Sequence, residues 1–175
     1  MNNERFLTTK TIAKMAVLSA VAFVLMLIEF NLPFITSFYK LDFSELPVLI
    51  GGFALGPLAA VVIEGIKIIL NVLFTGTATA YVGEIANFVV GCAFCVPAAL
   101  YYQSHKTKEG ALKGMIIGTI SLVVVGMLMN YFVMLPAYSY FFHMDMDVII
   151  GMGSALIPFI TNRFTCVLLA TSPFN

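Results

Sequence analysis

The sequence predicts an all-α, multi-pass membrane helical bundle forming a single domain. Three observations carry this. Hydrophobic residues make up 61% of the 175 positions and charged residues only 10%, where soluble domains run at roughly 45–50% apolar and 25% charged. Mean hydropathy is +1.00. Residues 46–63 and 114–142 contain no charged side chain at all. The same composition excludes a disordered chain, which needs low hydrophobicity and high net charge; here nine basic residues cancel nine acidic ones. So few charges cannot build a basic face, so no nucleic-acid partner is expected. The expected surroundings are a lipid bilayer.

The first apolar run, 15–28, follows Arg5, Lys10 and Lys14. A signal peptide has this layout, but no small-residue cleavage site follows and equally apolar segments come later. A retained helix over about 11–30 is the better reading. Residues 31–45 read as a loop, with Asn31 and Pro33 as breakers and Lys40, Asp42 and Glu45 adding charge. The uncharged run that follows is punctuated by Gly51, Gly52, Gly56 and Pro57. A Gly-Pro pair marks a turn and proline suits a first helical position. Two helices are therefore expected, at about 46–56 and 57–74, each short of the ~20 residues that cross a bilayer unaided.

Residues 75–83 are a small-residue loop, 84–102 the next helix, and 103–113 a polar connection carrying Lys106, Lys108 and Lys113. A long helix over about 112–142 follows, ended or kinked by Pro136, and His143, Asp145 and Asp147 mark another loop. Residues 148–171 are apolar but interrupted by Pro158, Asn162 and Arg163. They read as a loop or short-helix segment, partly re-entrant or lying on the surface. Lysine and arginine in short loops favour the cytoplasm, which puts both the amino end and 103–113 on that side. Four crossings must separate them, so the break at Gly56-Pro57 is also required by topology. The loops at 31–45, 75–83 and 135–147 then share the outer face.

Ionisable residues at lipid depth are costly, about 2.5–3.5 kcal/mol at a helix centre, and are functional candidates for that reason. Glu64, Lys67 and Asn71 share one helix face, since i,i+3 and i,i+4 neighbours meet. They are either the polar wall of a substrate cavity or an ion pair that fixes packing. Glu84, Asn87 and Gly91 share a face of the next helix. Glu84 also suits the positive end of the helix dipole; Asn87 lies too deep for that explanation. Asn130 sits in an uncharged run, and a buried amide needs partners from a neighbouring helix or a ligand. Tyr131, Met134, Tyr138 and Phe141 recur at helical spacing as an interfacial belt or a flat wall for an aromatic ligand.

Cys92 and Cys95 form a C-x-x-C spacing with no histidine or second pair nearby, so small-hydrophobe packing outweighs a redox or metal role. Small-x-x-x-small pairs, which let helices approach closely, occur at Ala16/Ala20, Gly52/Gly56 and Gly114/Gly118. No G-x-x-x-x-G-K-[ST] phosphate loop, H-E-x-x-H or Ser/His/Asp set is present, so neither ATP hydrolysis nor other enzymatic activity is expected.

Several stretches then come together: Lys40-Leu-Asp-Phe-Ser-Glu-Leu-Pro through Gly56-Pro57, Val82-Gly-Glu-Ile-Ala-Asn-Phe88, Gly118-Thr-Ile-Ser-Leu122, Asn130-Tyr-Phe132 and Pro173-Phe-Asn175. With them the chain resembles, over nearly its whole length, the riboflavin-binding component of energy-coupling factor (ECF) transporters. The resemblance implies a six-helix membrane subunit that captures riboflavin from the outer face. It implies partnership with a transmembrane coupling subunit and two ATPase subunits, and no cofactor besides the transported ligand. Family members continue past Pro-Phe-Asn into a final helix with a nearby lysine, so a sixth helix is expected beyond Asn175. Carried over residue by residue, the ligand site would draw on Leu41, Asp42, Phe43, Ser44, Thr79, Ala80, Tyr81, Glu84, Asn87, Asn130 and Asn175. The family's Ala-x-x-x-Ala pattern falls on Ala16 and Ala20 and implies docking to the coupling subunit. Riboflavin is uncharged, with amide-like ring edges that asparagine can match as donor and acceptor. The rival readings are a component of the same class for another vitamin or a flavin phosphate, a small membrane enzyme using Glu64/Lys67 or Glu84 as acid and base, and a ligand-free structural partner.

Overall fold

A computed structural model describes residues 8–28, 30–31, 40–77, 81–134 and 136. The expected segment 148–171, and with it Thr79, Ala80, Tyr138, Phe141 and Asn175, lies outside the described residues. In chain order the elements are α1 (Thr9–Met26), β1 (Phe30–Asn31), β2 (Lys40–Leu41), α2 (Glu45–Leu55), α3 (Pro57–Thr75), α4 (Val82–Ser104) and α5 (Lys108–Met129), continued by a π turn, Asn130–Met134. Among the described residues four helices are long and apolar enough to cross a membrane: α1, α3, α4 and α5 with its continuation.

The first helix stops at Met26, four residues before the expected end. Phe30 and Asn31 instead pair antiparallel with Leu41 and Lys40. The residues read as a featureless loop thus satisfy part of their backbone in a two-residue ladder. Met15, Ser19, Ala22 and Met26 form the buried stripe of α1, and the Ser19 hydroxyl donates to Met15 O at 2.8 Å. That internal bond removes the cost of a polar group in an apolar layer. Val17, Val21 and Val24 on the rest of the helix are exposed, as lipid-facing side chains are.

The break at Gly56-Pro57 is where the glycine and proline place it. Gly56 adopts φ 109, ψ 168, a region open essentially to glycine alone, and Pro57 occupies the first position of α3. A Cβ at Gly56 would also lie 2.8 Å from Gln103 Nε2. At 19 residues α3 is long enough to cross, which corrects the expectation that both helices fall short; α2, at 11 residues, spans only about 16 Å.

α2 is wedged among α1, α3 and α4 through Val48, Leu49, Gly51 and Gly52, which join Met15, Ala22, Ala59, Ala60, Ile63, Cys95 and Ala98 in the core. Small residues permit the fit: a Cβ at Gly52 would lie 3.1 Å from both the Ala60 and Ala99 methyl groups. Along α5 the buried residues Gly110, Gly114, Gly118, Leu122 and Gly126 recur every four. A Cβ on Gly114 would sit 2.8 Å from Ala98 O, and one on Gly118 would strike Phe94 O. The α4 and α5 backbones are therefore nearly in contact. Thr107 caps α5 by accepting from Gly110 N at 2.9 Å. The expected single helix over 112–142 is α-helical only to Met129; it widens into the π turn, which begins at Asn130, six residues before Pro136.

Two contacts sort the ends of the bundle. Ala13, Lys14, Val17 and Leu18 of α1 line a groove of about 460 Å³ with Ala54 and Leu55 of α2, and Gly56 abuts Gln103. The start of α1, the α2–α3 turn and the α4–α5 connection thus share one end, which gathers Lys10, Lys14, Lys106 and Lys108. At the other end Phe23 of α1 meets Phe74 of α3, ring centroids 5.4 Å apart.

Gly118→Ala is expected to cost about 1–3 kcal/mol, the range for overpacking, because the atom in the way is a backbone carbonyl. A clear drop in thermal midpoint of the detergent-solubilised protein checks it; an unchanged midpoint would show that α4 and α5 can part at no cost.

Candidate functional site

The most polar feature of the buried bundle centres on Lys67. Its ammonium nitrogen lies 2.7 Å from Glu45 Oε1 and 2.7 Å from Glu64 Oε1, and it donates to Ser44 Oγ at 3.2 Å. Three acceptors meet the three donors of an ammonium group. Lys67 and Glu64 are completely buried, and Glu45 is 27% exposed. Glu45 Oε2 accepts from Cys95 Sγ at 3.6 Å, while Glu64 Oε2 has no hydrogen-bonding partner among the described residues. Gly91 faces the same group: a Cβ there would lie 2.6 Å from Glu64 Oε1 and 3.0 Å from Glu45 Oε1. Of the two readings of Glu64 and Lys67, the structure supports the ion pair that fixes helix packing. Asn71 is half-buried one turn further along α3. Cys95 is fully buried and Cys92 half-buried; both are free thiols.

Glu45 is the member that sequence reasoning missed, having been counted as loop charge. A signal was present. Glu45 and Lys67 stand at equal distances on either side of the Gly56 turn, so in an antiparallel helix pair they lie level. That depth is about 16 Å from the turn at 1.5 Å per residue. The segment leading into α2 therefore reaches roughly half-way into the bundle, and α3 runs about 12 Å further toward the other end with no α2 beside it.

Above that floor stand the polar residues of α4 and α5. Gly91 faces the cluster, so Asn87 and Glu84, four and seven residues away on the same face, look over the start of α2; both are half-buried. Gly114 packs on Ala98 and Gly118 on Phe94. Carried outward, that antiparallel register sets Gly126 level with Ala86, and Asn130 level with Val82. Asn130 is 8% exposed and its Nδ2 donates to Gly126 O at 3.0 Å. It opens the π turn, a feature frequent at functional sites. Tyr131 is half-buried and meets the exposed Phe132 edge-on, ring centroids 5.0 Å apart.

The remaining candidates divide by what they touch. Asp42 Oδ1 accepts from Ser44 N at 2.7 Å, the local turn that aspartate favours. The Ser44 hydroxyl is committed to Lys67. Phe43 between them is 56% exposed, and Leu41 contributes the backbone of β2. Tyr81 caps α4 with φ 67, unusual for a residue with a side chain; its N–H donates to Thr77 Oγ1 at 3.0 Å and its ring is exposed. The structure thus places Asp42, Phe43, Ser44, Tyr81, Glu84, Asn87 and Asn130 in the half of the bundle away from the Gly56 turn. Ala16 and Ala20 are exposed on α1, well removed from that group.

A family model for the substrate-specific component of ECF transporters matches residues 10–175. The riboflavin transporter RibU of Staphylococcus aureus (strain TCH60) is 36% identical over 167 residues, covering 91% of this chain and 86% of that protein. The riboflavin transporter FmnP of Bacillus subtilis (strain 168) is 35% identical over 135 residues, 77% of this chain and 71% of that protein. A solved structure of the S component of a bacterial ECF transporter superposes with a TM-score of 0.69 at 35% identity, covering 93% of this chain and 91% of that one.

Lys67→Met would leave the buried Glu64 carboxylate and the part-buried Glu45 carboxylate without their cation. Removing one partner of a buried pair costs about 3–5 kcal/mol, so a large fall in thermal midpoint is expected. A midpoint equal to wild type would mean that the cluster contributes nothing to the fold.

Proposed function

The chain belongs to the family of ECF transporter substrate-specific components, and from that membership we infer that it is the riboflavin-binding subunit of an ECF-type uptake transporter. It is a multi-pass membrane protein and a transporter component, not an enzyme. The observation that carries the ligand assignment is the 35–36% identity, over most of the chain, to two proteins named riboflavin transporters. The geometry agrees with a neutral, flat ligand. Half-buried Asn87 and buried Asn130 offer amide groups in the same half of an otherwise apolar bundle as the exposed Phe43 and Tyr81, and a mostly apolar site with a few convergent polar groups is the usual form. Asp42 and Glu84 outnumber Lys40 there, which disfavours a phosphorylated flavin. Riboflavin is cargo, and no resident cofactor is called for.

Capture takes place at the end carrying these residues, which is the outer face if the lysine-rich end, with the amino terminus, is cytoplasmic. ATP hydrolysis belongs to partner subunits, reached through a transmembrane coupling subunit. The exposed Ala16 and Ala20, beside the groove lined by Ala13, Lys14, Val17 and Leu18, suit close helix-to-helix docking. Leu41, Asp42, Phe43, Ser44, Thr79, Ala80, Tyr81, Glu84, Asn87, Asn130 and Asn175 make up the proposed ligand set.

Purified protein should quench riboflavin fluorescence saturably and bind flavin mononucleotide more weakly. Asn130→Ala should weaken riboflavin binding by about 1–3 kcal/mol, the cost of an unpaired polar group. Saturable binding of thiamine or biotin in place of riboflavin would reject the assignment, and unchanged affinity would remove Asn130 from the site. Ala16→Trp should leave binding intact but impair cellular riboflavin uptake; normal uptake would reject docking through this face.

A further inference from the structure

The start of α2 is held by two consecutive residues that close on one buried ammonium group from another helix. Ser44 and Glu45 both bond Lys67 of α3, and Glu45 also receives the Cys95 thiol of α4. Just ahead of them the Asp42 carboxylate turns the chain by accepting from Ser44 N, and Phe43 O accepts from Leu46 N at 3.2 Å. The segment that presents the exposed Phe43 ring is therefore tied to α3 and α4 at its last two residues. Glu64 is placed differently: among the described residues it pairs with Lys67 along its own helix, leaves one oxygen without a hydrogen-bonding partner and gives no bond to α2.

We propose that Lys67 is a positioning residue for the ligand site: through Ser44 and Glu45 it sets the depth and direction of residues 41–44, and it does so without touching the ligand. The proposal rests on the riboflavin-binding reading above. Its physical content is an asymmetry between two carboxylates that share one lysine. Glu45 carries the tie between helices. Glu64 balances charge within α3 and is dispensable for the tie; removing it leaves Lys67 and Glu45 as a neutral pair.

The test compares Glu45→Ala, Glu45→Gln and Glu64→Ala in the whole chain in lipid nanodiscs. Two quantities are read: riboflavin association and dissociation by fluorescence, and hydrogen exchange of amides 42–46 without ligand. Glu45→Ala should weaken riboflavin binding about tenfold, equivalent to about 1.4 kcal/mol, mainly through faster dissociation, and should speed exchange over 42–46. Glu45→Gln, whose amide oxygen still accepts from Lys67, should recover much of both. Glu64→Ala should bind as wild type does and leave exchange over 42–46 unchanged. Equal losses in Glu45→Ala and Glu64→Ala, or no effect of Glu45→Ala on either measurement, would overturn the proposal. Failure of the ligand reading looks different: wild type itself would ignore riboflavin while the exchange contrast between Glu45→Ala and Glu64→Ala persisted.

Discussion

Everything in this bundle is arranged around the difficulty of keeping an ammonium group out of water. Lys67 has no exposed side-chain surface, and in an apolar layer such a cation is costly unless a carboxylate balances its charge and hydrogen-bond acceptors surround it. Ser44, Glu45 and Glu64 meet that demand from two helices, and Gly91 clears space for them from a third. This requirement sets where α2 begins. It also explains why an 11-residue helix, unable to cross the membrane alone, has a defined place in the interior.

Around the cluster, packing depends on the absence of side chains more than on their presence. Water is not there to drive apolar faces together, so helices in lipid associate through close van der Waals approach. Gly52 lets α2 meet α3 and α4, and the four-residue glycine recurrence on α5 lets that helix lie against the carbonyls of α4. The same tight register that joins α4 and α5 brings Asn130 level with the start of α4, so the polar groups of two helices gather at one end.

Local rules made much of this legible before any coordinates. Gly56-Pro57 announced a turn because a left-handed backbone position and a preset proline φ are properties of those two residues. Glu64 with Lys67, Glu84 with Asn87, and the glycine pairs were visible because helical spacing alone places them on a face. Glu45 was not, because its partner is 22 residues away and meets it only after the chain reverses; short-range spacing cannot see across a turn. The early end of α1 was missed for a related reason: Phe30 is apolar and continues the hydrophobic run, and what removes it from the helix is pairing with Leu41. The π turn at Asn130 likewise follows from how α5 ends against its neighbours, which the uncharged run 114–142 does not reveal.

The glycine stripe on α5 has a genetic consequence. A site occupied by hydrogen alone has nowhere smaller to go, so every missense change at Gly114 or Gly118 is an enlargement toward a neighbouring carbonyl. An ordinary core of leucine and valine can drift by trading volume between neighbours; this seam has no volume to trade. Sequence divergence should therefore run through the lipid-facing valines and isoleucines of α5 and leave its inner edge nearly frozen.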